Sequence, residues 1–362
     1  MRLIAGAPQP PVGAYDADIV ILSLGRVAET LAAIGSALTQ TGVTRHLVVV
    51  DQGSTAPDLA RLAAVIAGRA DATLIRLDHN HGVAGGRNRG SAFGHGRVIA
   101  ALDNDAEFAT PDTLSRMVAA LDAEPGLAAI GCRILNHATG DDDLTSWGYP
   151  RNLLPCSAEA FDAVTFVGAG HAIRREAWDD AGGYDEALFF CWEEFDLSLR
   201  AIARGWRVRY RGDIAVRHKV SAEHRVCWTQ DRWFHFVRNR LYVAHKHGAG
   251  WASLAPRMAG YLMKGVHNGM GSQTLRAIRA AYGLSTAVPR ASLPWAAQDY
   301  LRRNDALHGG GWLRRLRAEV LAVLPAPPGL DGRKARLQTM AAPAVSPHMP
   351  TRSVTMARLR VS

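Results

Sequence analysis

Apolar positions in the first hundred residues fall into two alternating rhythms. Unbroken runs, DIVILSL (18–24), HLVVVD (46–51), TLIRLD (73–78) and RVIAALD (97–103), read as strands buried on both faces. Between them apolar residues recur every three or four positions. Val27, Leu31, Ile34 and Leu38 predict a helix over 26–40, and a second lies near Leu59–Ile66. The glycine-rich NHGVAGGRNRG opens a third, short helix. Strands alternating with helices in this way predict an α/β fold with a central, mostly parallel sheet covered on both faces.

The rhythm continues less regularly. Thr110, Pro111 and Asp112 make a helix start, followed by a buried stripe of Leu114, Met117, Val118 and Leu121. LAAIGCRIL leads into the irregular GDDDLTSWGYPRN, whose Asp141, Asp142 and Asp143 read as a solvated loop. VTFVGAG precedes a helix over about 174–181, another begins near Glu193, and WRVRYRG and IAVRH are two short strands. From Gln230 the pattern becomes basic and amphipathic: Trp233, Val237, Leu241 and Ala244 share a face, ringed by Arg232, Arg238, Arg240 and Lys246. A later segment, WLRRLRAEVLAVL (312–324), groups Leu313, Leu316, Val320 and Leu324. The expected organisation is an N-terminal extension (1–17), an α/β domain (18–228), a basic helical region (229–325) and a disordered Pro/Ala/Ser-rich tail (326–362).

Charge sharpens this division. The formal net charge of +9 is −12 over residues 1–199 (14 Lys and Arg, 26 Asp and Glu) and +21 over 200–362 (28 against 7). Two readings of the basic half stand: a face for phosphates, a membrane surface or an acidic polymer, or a solvated Arg-rich surface. Cys132, Cys156, Cys191 and Cys227 lack C-x-x-C spacing, against a zinc knuckle or disulfide framework. The N-terminal apolar piece is shorter than a signal core and broken by Pro8, Pro10 and Pro11, and no apolar run reaches membrane-span length. A cytoplasmic protein is expected, at the inner face of the membrane if the basic helices bind lipid.

Candidate chemistry sits where strands meet loops, the ligand edge of such sheets. Asp51 ends one buried run, and Asp103, Asn104 and Asp105 end another. Two carboxylates one residue apart repel each other near a core unless a cation lies between them. The D-x-D triplet alone is either a polar turn capping the next helix or a grip on a divalent ion that neutralises a diphosphate. NHGVAGGRNRG allows close backbone approach to a ligand, with Arg87 able to meet phosphate bidentately. It is not G-x-G-x-x-G, against an NAD-dependent oxidoreductase. Glu193 and Glu194 open a helix, where acids also serve the dipole.

The succession SLGR, VVVDQGST, NHGVAGGRNRG, ALDNDAEF, GAGHAIRREAWDDAGGYDE and EEFDLSLRA, over Ile19–His224, resembles family 2 glycosyltransferases of the GT-A fold, rhamnosyltransferase-like members among them. The resemblance implies a Rossmann-like GT-A domain followed by a C-terminal helical region. It also implies a donor site of Ser23, Arg26, Asp51, Gly82, Arg87, Asn88, Asp103 and Asn104, with Asp51 at the nucleoside base. Asp105, with Asp103 and His218, would hold Mg²⁺ or Mn²⁺. Glu194 would be the catalytic base, with Gly170, His171, Trp192 and Glu193 on the acceptor side. Two positions depart from the family pattern: Leu24 and Gly25 replace its usual Tyr-Asn pair, and Glu194 its usual Asp. Asp196 reads as a partner of Arg200 at i+4.

The function expected is metal-dependent, inverting transfer of a sugar from a UDP-, dTDP- or GDP-sugar to a hydroxyl of a glycan, a lipid-linked acceptor or a small molecule. Peripheral membrane association is a further expectation, and nucleic acid is not an expected partner. Two alternatives share features of the sequence. A sugar nucleotidyltransferase would use the same carboxylates but needs a basic glycine-rich loop after the first strand, which 23–29 lacks. A nucleic-acid-binding protein would use the basic half.

Overall fold

The computed structural model describes residues 1–220 and 228–309. The expected helix at 312–324 and the tail from 326 lie outside the described residues. Arg2–Gly6, expected to be part of an extension, instead forms edge strand β1, antiparallel to β4 (Ala72–Arg76). Gly6 ends it at φ +82°, where a Cβ would lie 2.1 Å from the Ala72 carbonyl oxygen.

The four apolar runs are β2 (Ala17–Ser23), β3 (Arg45–Asp51), β4 and β5 (Val98–Leu102), parallel in the order β4-β3-β2-β5. Their side chains alternate between two cores. Ile19, Ile21, Leu47 and Val49 face α1 (Val27–Leu38) and α2 (Ala56–Ile66). Val20, Val48 and Val50 face the other way, toward α3 (Gly82–Phe93). There Gly90 packs so closely that a Cβ would sit 2.5 Å from Val20 Cγ1. The parallel register places the ends of β2, β3 and β5 together at one sheet edge.

The second half of the sheet is mixed. β9 (Gly170–Arg174) lies between β5 and β7 (Leu127–Asn136), antiparallel to both, and β10 (Arg207–His218) pairs parallel with β7 and antiparallel with β6 (Ala106–Phe108) and β8 (Ala160–Ala163). The two strands expected at 206–218 are thus one, because an irregularity between Arg211 and Ala215 carries the ladder past Gly212. α4 (Thr113–Ala123) begins later than the Thr110–Pro111 signal. The Thr110 hydroxyl lies against Thr113 Oγ1, 3.0 Å away, rather than capping a helix N–H. α5 (Arg175–Ala181) and α6 (Glu193–Ala203) cover the second face.

A third core joins α7 (Gln230–Lys246), α8 (Trp251–His267) and α9 (Gly271–Thr286) to Leu188 and Leu199 of the α/β unit. Trp233, Val237 and Leu241 are fully buried in it, so the apolar face of α7 is spent on the protein's own packing. α10 (Trp295–Asn304) returns to the sheet, the Tyr300 hydroxyl donating to the Ala163 carbonyl at 2.8 Å.

Candidate active site

Strand β5 ends at Leu102, and the turn to β6 holds Asp103 and Asp105; β10, paired with β6, ends at His218. This pairing brings residues more than a hundred positions apart into one cluster, whose carboxylate and imidazole ligand atoms lie within 4.8 Å of one another. Two carboxylates and an imidazole are a suitable donor set for Mn²⁺ or Mg²⁺. Arg26, in the left-handed region at φ 52°, answers the same electrostatic need: its Nη1 donates to Asp105 Oδ2 at 2.5 Å. Asp105 Oδ1 faces His218 Nε2 at 3.4 Å. The predicted cluster is therefore assembled, with Arg26 at its rim as a partner of the carboxylate.

Behind it stands a residue the sequence reading misplaced. Asp143 is not in a solvated loop; it is buried, and its Oδ2 lies 2.7 Å from His218 Nδ1. Burial works to raise its pKa, but hydrogen bonds from His218, Thr145 and Ser146 outweigh burial and hold it below the usual carboxylate range. A carboxylate on one imidazole nitrogen fixes the ring, and here it leaves the other nitrogen facing Asp105. Asp142 is likewise engaged, with Arg133 at 2.6 Å.

Arg87 was expected at phosphate and is instead an internal clamp. Its buried guanidinium donates from Nη1 to Glu194 Oε1 at 3.1 Å and from Nη2 to Asp103 Oδ1 at 2.9 Å and to the Gly168 carbonyl at 2.7 Å. Room for this depends on Gly168, where a Cβ would fall 2.4 Å from Glu194 Oε1. Burial pushes the Glu194 pKa up, Arg87 opposing. Glu193, on the same helix turn, is buried with Oε2 lacking a hydrogen-bond partner; burial and the Glu194 charge push it well above the ordinary range. Asp196 pairs with Arg200 at 2.8 Å, as its i+4 spacing predicts, and also with Lys246 of α7.

The turn before Glu193 is strained. Phe189, Cys191 and Trp192 all have positive φ (62°, 72° and 74°), uncommon for non-glycine residues. Buried Asn239 of α7 holds it, Nδ2 lying 2.8 Å from the carbonyl oxygens of Leu188, Phe190 and Cys191. Arg238 adds bonds to the Ala187 and Leu188 carbonyls. The basic helix after Gln230 thus fixes the segment that leads into Glu194.

A cavity of about 340 Å³ opens beside Asp103 and Asn104, between Leu22, Leu24, Gln52, Gly82, Phe189 and Phe190. Gly82 is required by its φ of +72° and by the Phe189 carbonyl, 2.2 Å from where a Cβ would be. Three expected donor residues are turned elsewhere. Asp51 is fully buried, its Oδ1 accepting from the Ser54 N–H at 3.1 Å, so it caps its own loop. Ser23 is buried with its hydroxyl 3.4 Å from that of Ser54. Asn88 exchanges hydrogen bonds with the backbone of Tyr184, 2.9 Å each way, tying α3 to the chain before the strained turn. Gln52 lies within the VVVDQGST motif but was given no role there, and the Phe189–Phe190 pair carried no motif signal.

A larger cavity, about 920 Å³, is lined by Trp192 and Phe195, the sequence neighbours of Glu193 and Glu194, together with Tyr149, Phe161, Arg240 and His308. Trp192, expected on the acceptor side, lines it; Gly170 and His171, expected with it, do not, both being buried in β9, Gly170 as its first residue. Gly170 packs on Val216, and the His171 ring lies between Val167 O (3.2 Å) and the Tyr184 hydroxyl (3.1 Å). Burial and then the Arg87 charge hold His171 far below its ordinary pKa, so it is neutral.

The sequence profile described as Glycosyl transferase family 2 matches residues 18–182. Similar proteins include the succinoglycan biosynthesis protein ExoO of Rhizobium meliloti (strain 1021), 39% identical over 115 residues, covering 32% of each chain. Another, ExoU of the same organism, is 28% identical over 205 residues, 52% of this chain and 58% of that one. The chain therefore spans less than two thirds of the length of either relative. The mannosyltransferase PcManGT from Pyrobaculum calidifontis, in complex with GDP-Man and Mn²⁺, superposes with a TM-score of 0.53 at 19% identity, over 92% of this chain and 90% of that one. Residues 18–182 are thus similar to glycosyl transferase family 2, and the fold that holds them is the GT-A fold of that mannosyltransferase.

Proposed function

We propose that the protein transfers a sugar from a nucleotide-diphospho-sugar to an acceptor hydroxyl, assisted by Mg²⁺ or Mn²⁺ and with inversion at the anomeric carbon. One observation carries the reading: Asp103 lines the smaller cavity, belongs to the metal-suited cluster, and is joined through Arg87 to Glu194. Donor side and base thus share one guanidinium.

The nucleoside is assigned to the smaller cavity, between the Leu22–Leu24 and Phe189–Phe190 walls. Asp103, Asp105 and His218 would hold the ion, which supplies positive charge where the leaving diphosphate becomes more negative. Glu194 accepts the proton of the acceptor hydroxyl as its oxygen bonds to the anomeric carbon and the bond to the diphosphate oxygen breaks. A single in-line displacement of this kind inverts that carbon. The acceptor is assigned to the larger cavity, whose Trp192 and Phe195 flank the two glutamates in sequence and offer rings for a sugar face. No helix among the described residues is long and apolar enough to cross a membrane; a lipid-linked acceptor would be met at the bilayer surface.

A thermal-shift screen of UDP-, dTDP- and GDP-sugars with and without Mn²⁺ tests this reading. Binding to the native state raises Tm by mass action. At least one donor should stabilise the protein only when Mn²⁺ is present, and no Mn²⁺-dependent shift with any of them would overturn the proposal.

A further inference from the structure

Helix α8 reverses the usual surface pattern. Its inward positions, Leu254, Met258, Tyr261 and Gly265, recur at helical spacing and pack in or against the third core. On the opposite side Ala252, Ala255, Pro256, Ala259, Met263 and Val266 are all exposed, and at about 100° per residue they fall within an arc of about 100°. None is polar, and Met263 and Val266 are 61% and 64% exposed. A solvated helix ordinarily turns charge outward. Helix α9 continues the pattern, exposing Leu275 (43%) and Tyr282 (59%) alongside Arg276 and Arg279.

Charge selects the occupant. Over α8, α9 and the turn between them (251–286) the chain has four Lys and Arg (Arg257, Lys264, Arg276 and Arg279) and no Asp or Glu. A second copy of this face would set like charges against each other. The chain's own apolar segment 312–324 has three Arg against one Glu, so it matches no better. An anionic bilayer supplies both an apolar layer for the Met263–Val266 stripe and negative headgroups for the flanking cations.

We propose that the outer face of the α8–α9 hairpin rests on an anionic lipid surface. The inference rests on the glycosyltransferase reading only for its purpose, which is to bring the site to a lipid-linked acceptor. Within the basic helical region expected to meet lipid, it places the contact on α8 and α9 rather than on α7, whose apolar face is buried.

Flotation of the full chain with phosphatidylglycerol and with phosphatidylcholine vesicles tests it. The wild type should float with the anionic vesicles at low salt, be released at high salt, and ignore the neutral ones. Met263→Asp/Val266→Asp and, separately, Arg276→Gln/Arg279→Gln should weaken partitioning by roughly 10-fold to 30-fold, with the Mn²⁺-dependent donor shift retained as proof of folding. Equal recovery from both vesicle types overturns the proposal. So does wild-type flotation of both variants, or dimerisation in sedimentation velocity that Met263→Asp/Val266→Asp abolishes. A wild type that floats but shows no donor shift would instead contradict the catalytic reading and leave the surface standing.

Discussion

Arg87 holds Glu194 at 3.1 Å with the same guanidinium that holds Asp103 at 2.9 Å. One buried cation therefore sets the spacing between the carboxylate assigned to the donor and the one assigned to the acceptor. Arg87→Met should remove that spacing and leave two carboxylates facing each other without a counter-charge. Breaking a buried pair from one side typically costs about 3–5 kcal/mol, so a large fall in Tm is expected together with loss of turnover. A Met variant with wild-type Tm and rate would show that the clamp is incidental.

Glu194→Gln keeps shape and hydrogen bonding but cannot take a proton. Donor affinity should be nearly unchanged and kcat should fall about 10²-fold to 10⁴-fold. Because burial raises the Glu194 pKa, the acid limb of kcat/KM should lie above the ordinary glutamate value. Activity is present when the carboxylate is ionised and is lost as pH falls through that raised pKa. A normal rate in Glu194→Gln would remove it as the base.

Glu193 makes a separate prediction about stability. Its folded-state pKa is raised above the ordinary 4.5, so the fold favours the protonated form. That contribution is fully present below the ordinary value and disappears as pH rises through the folded one. Glu193→Gln should therefore melt higher than wild type near neutral pH, with the difference shrinking toward pH 4. Melting curves over that range decide it, and a variant that melts lower at every pH would refute the assignment of an uncompensated buried charge.

Asn239 is expected to act as a positioning residue. Asn239→Ala leaves three carbonyls of the strained turn without the amide, loosening the Phe189–Phe190 wall and the approach to Glu194 together. Both donor KM and kcat should worsen, and Tm should fall by an amount matching about 1–3 kcal/mol. A purely structural role would lower Tm and leave both kinetic constants alone.

Much of this was legible in the sequence, for identifiable reasons. The four buried runs and the helical spacing of Val27, Leu31, Ile34 and Leu38 report burial directly, so β2 to β5 and the helices between them followed. Asp103 and Asp105 stood out because they end a buried strand, whereas His218 was reached only through the family resemblance, and the fold sets it beside Asp105. Partners distant in sequence were not legible. Asp143 looked like one of three solvated acids because its imidazole partner lies 75 positions away. Arg87 looked like a phosphate ligand because nothing local shows that Asp103 and Glu194 converge on it. His171 and Asn88 are polar residues satisfied inside the fold, which composition cannot distinguish from ligands. Strands β1, β8 and β9 are short and draw their stability from pairing, so their own periodicity is weak.

Asp143 offers a readout independent of catalysis. Asp143→Ala should weaken Mn²⁺ binding by about 10-fold to 100-fold, as loss of the partner behind a ligating histidine does, measured by calorimetry on the full chain. Unchanged Mn²⁺ affinity would show that His218 needs no such support or does not ligate.

The central claim is metal-dependent sugar transfer from a nucleotide donor, and the most direct measurement is acceptor-stimulated nucleotide release. The assay takes the donor with the largest thermal shift and runs it with Mn²⁺, in excess EDTA, and with the Asp105→Ala variant. Release is expected with Mn²⁺ alone, with EDTA and Asp105→Ala both abolishing it while the variant stays folded; turnover undiminished in EDTA would contradict the account.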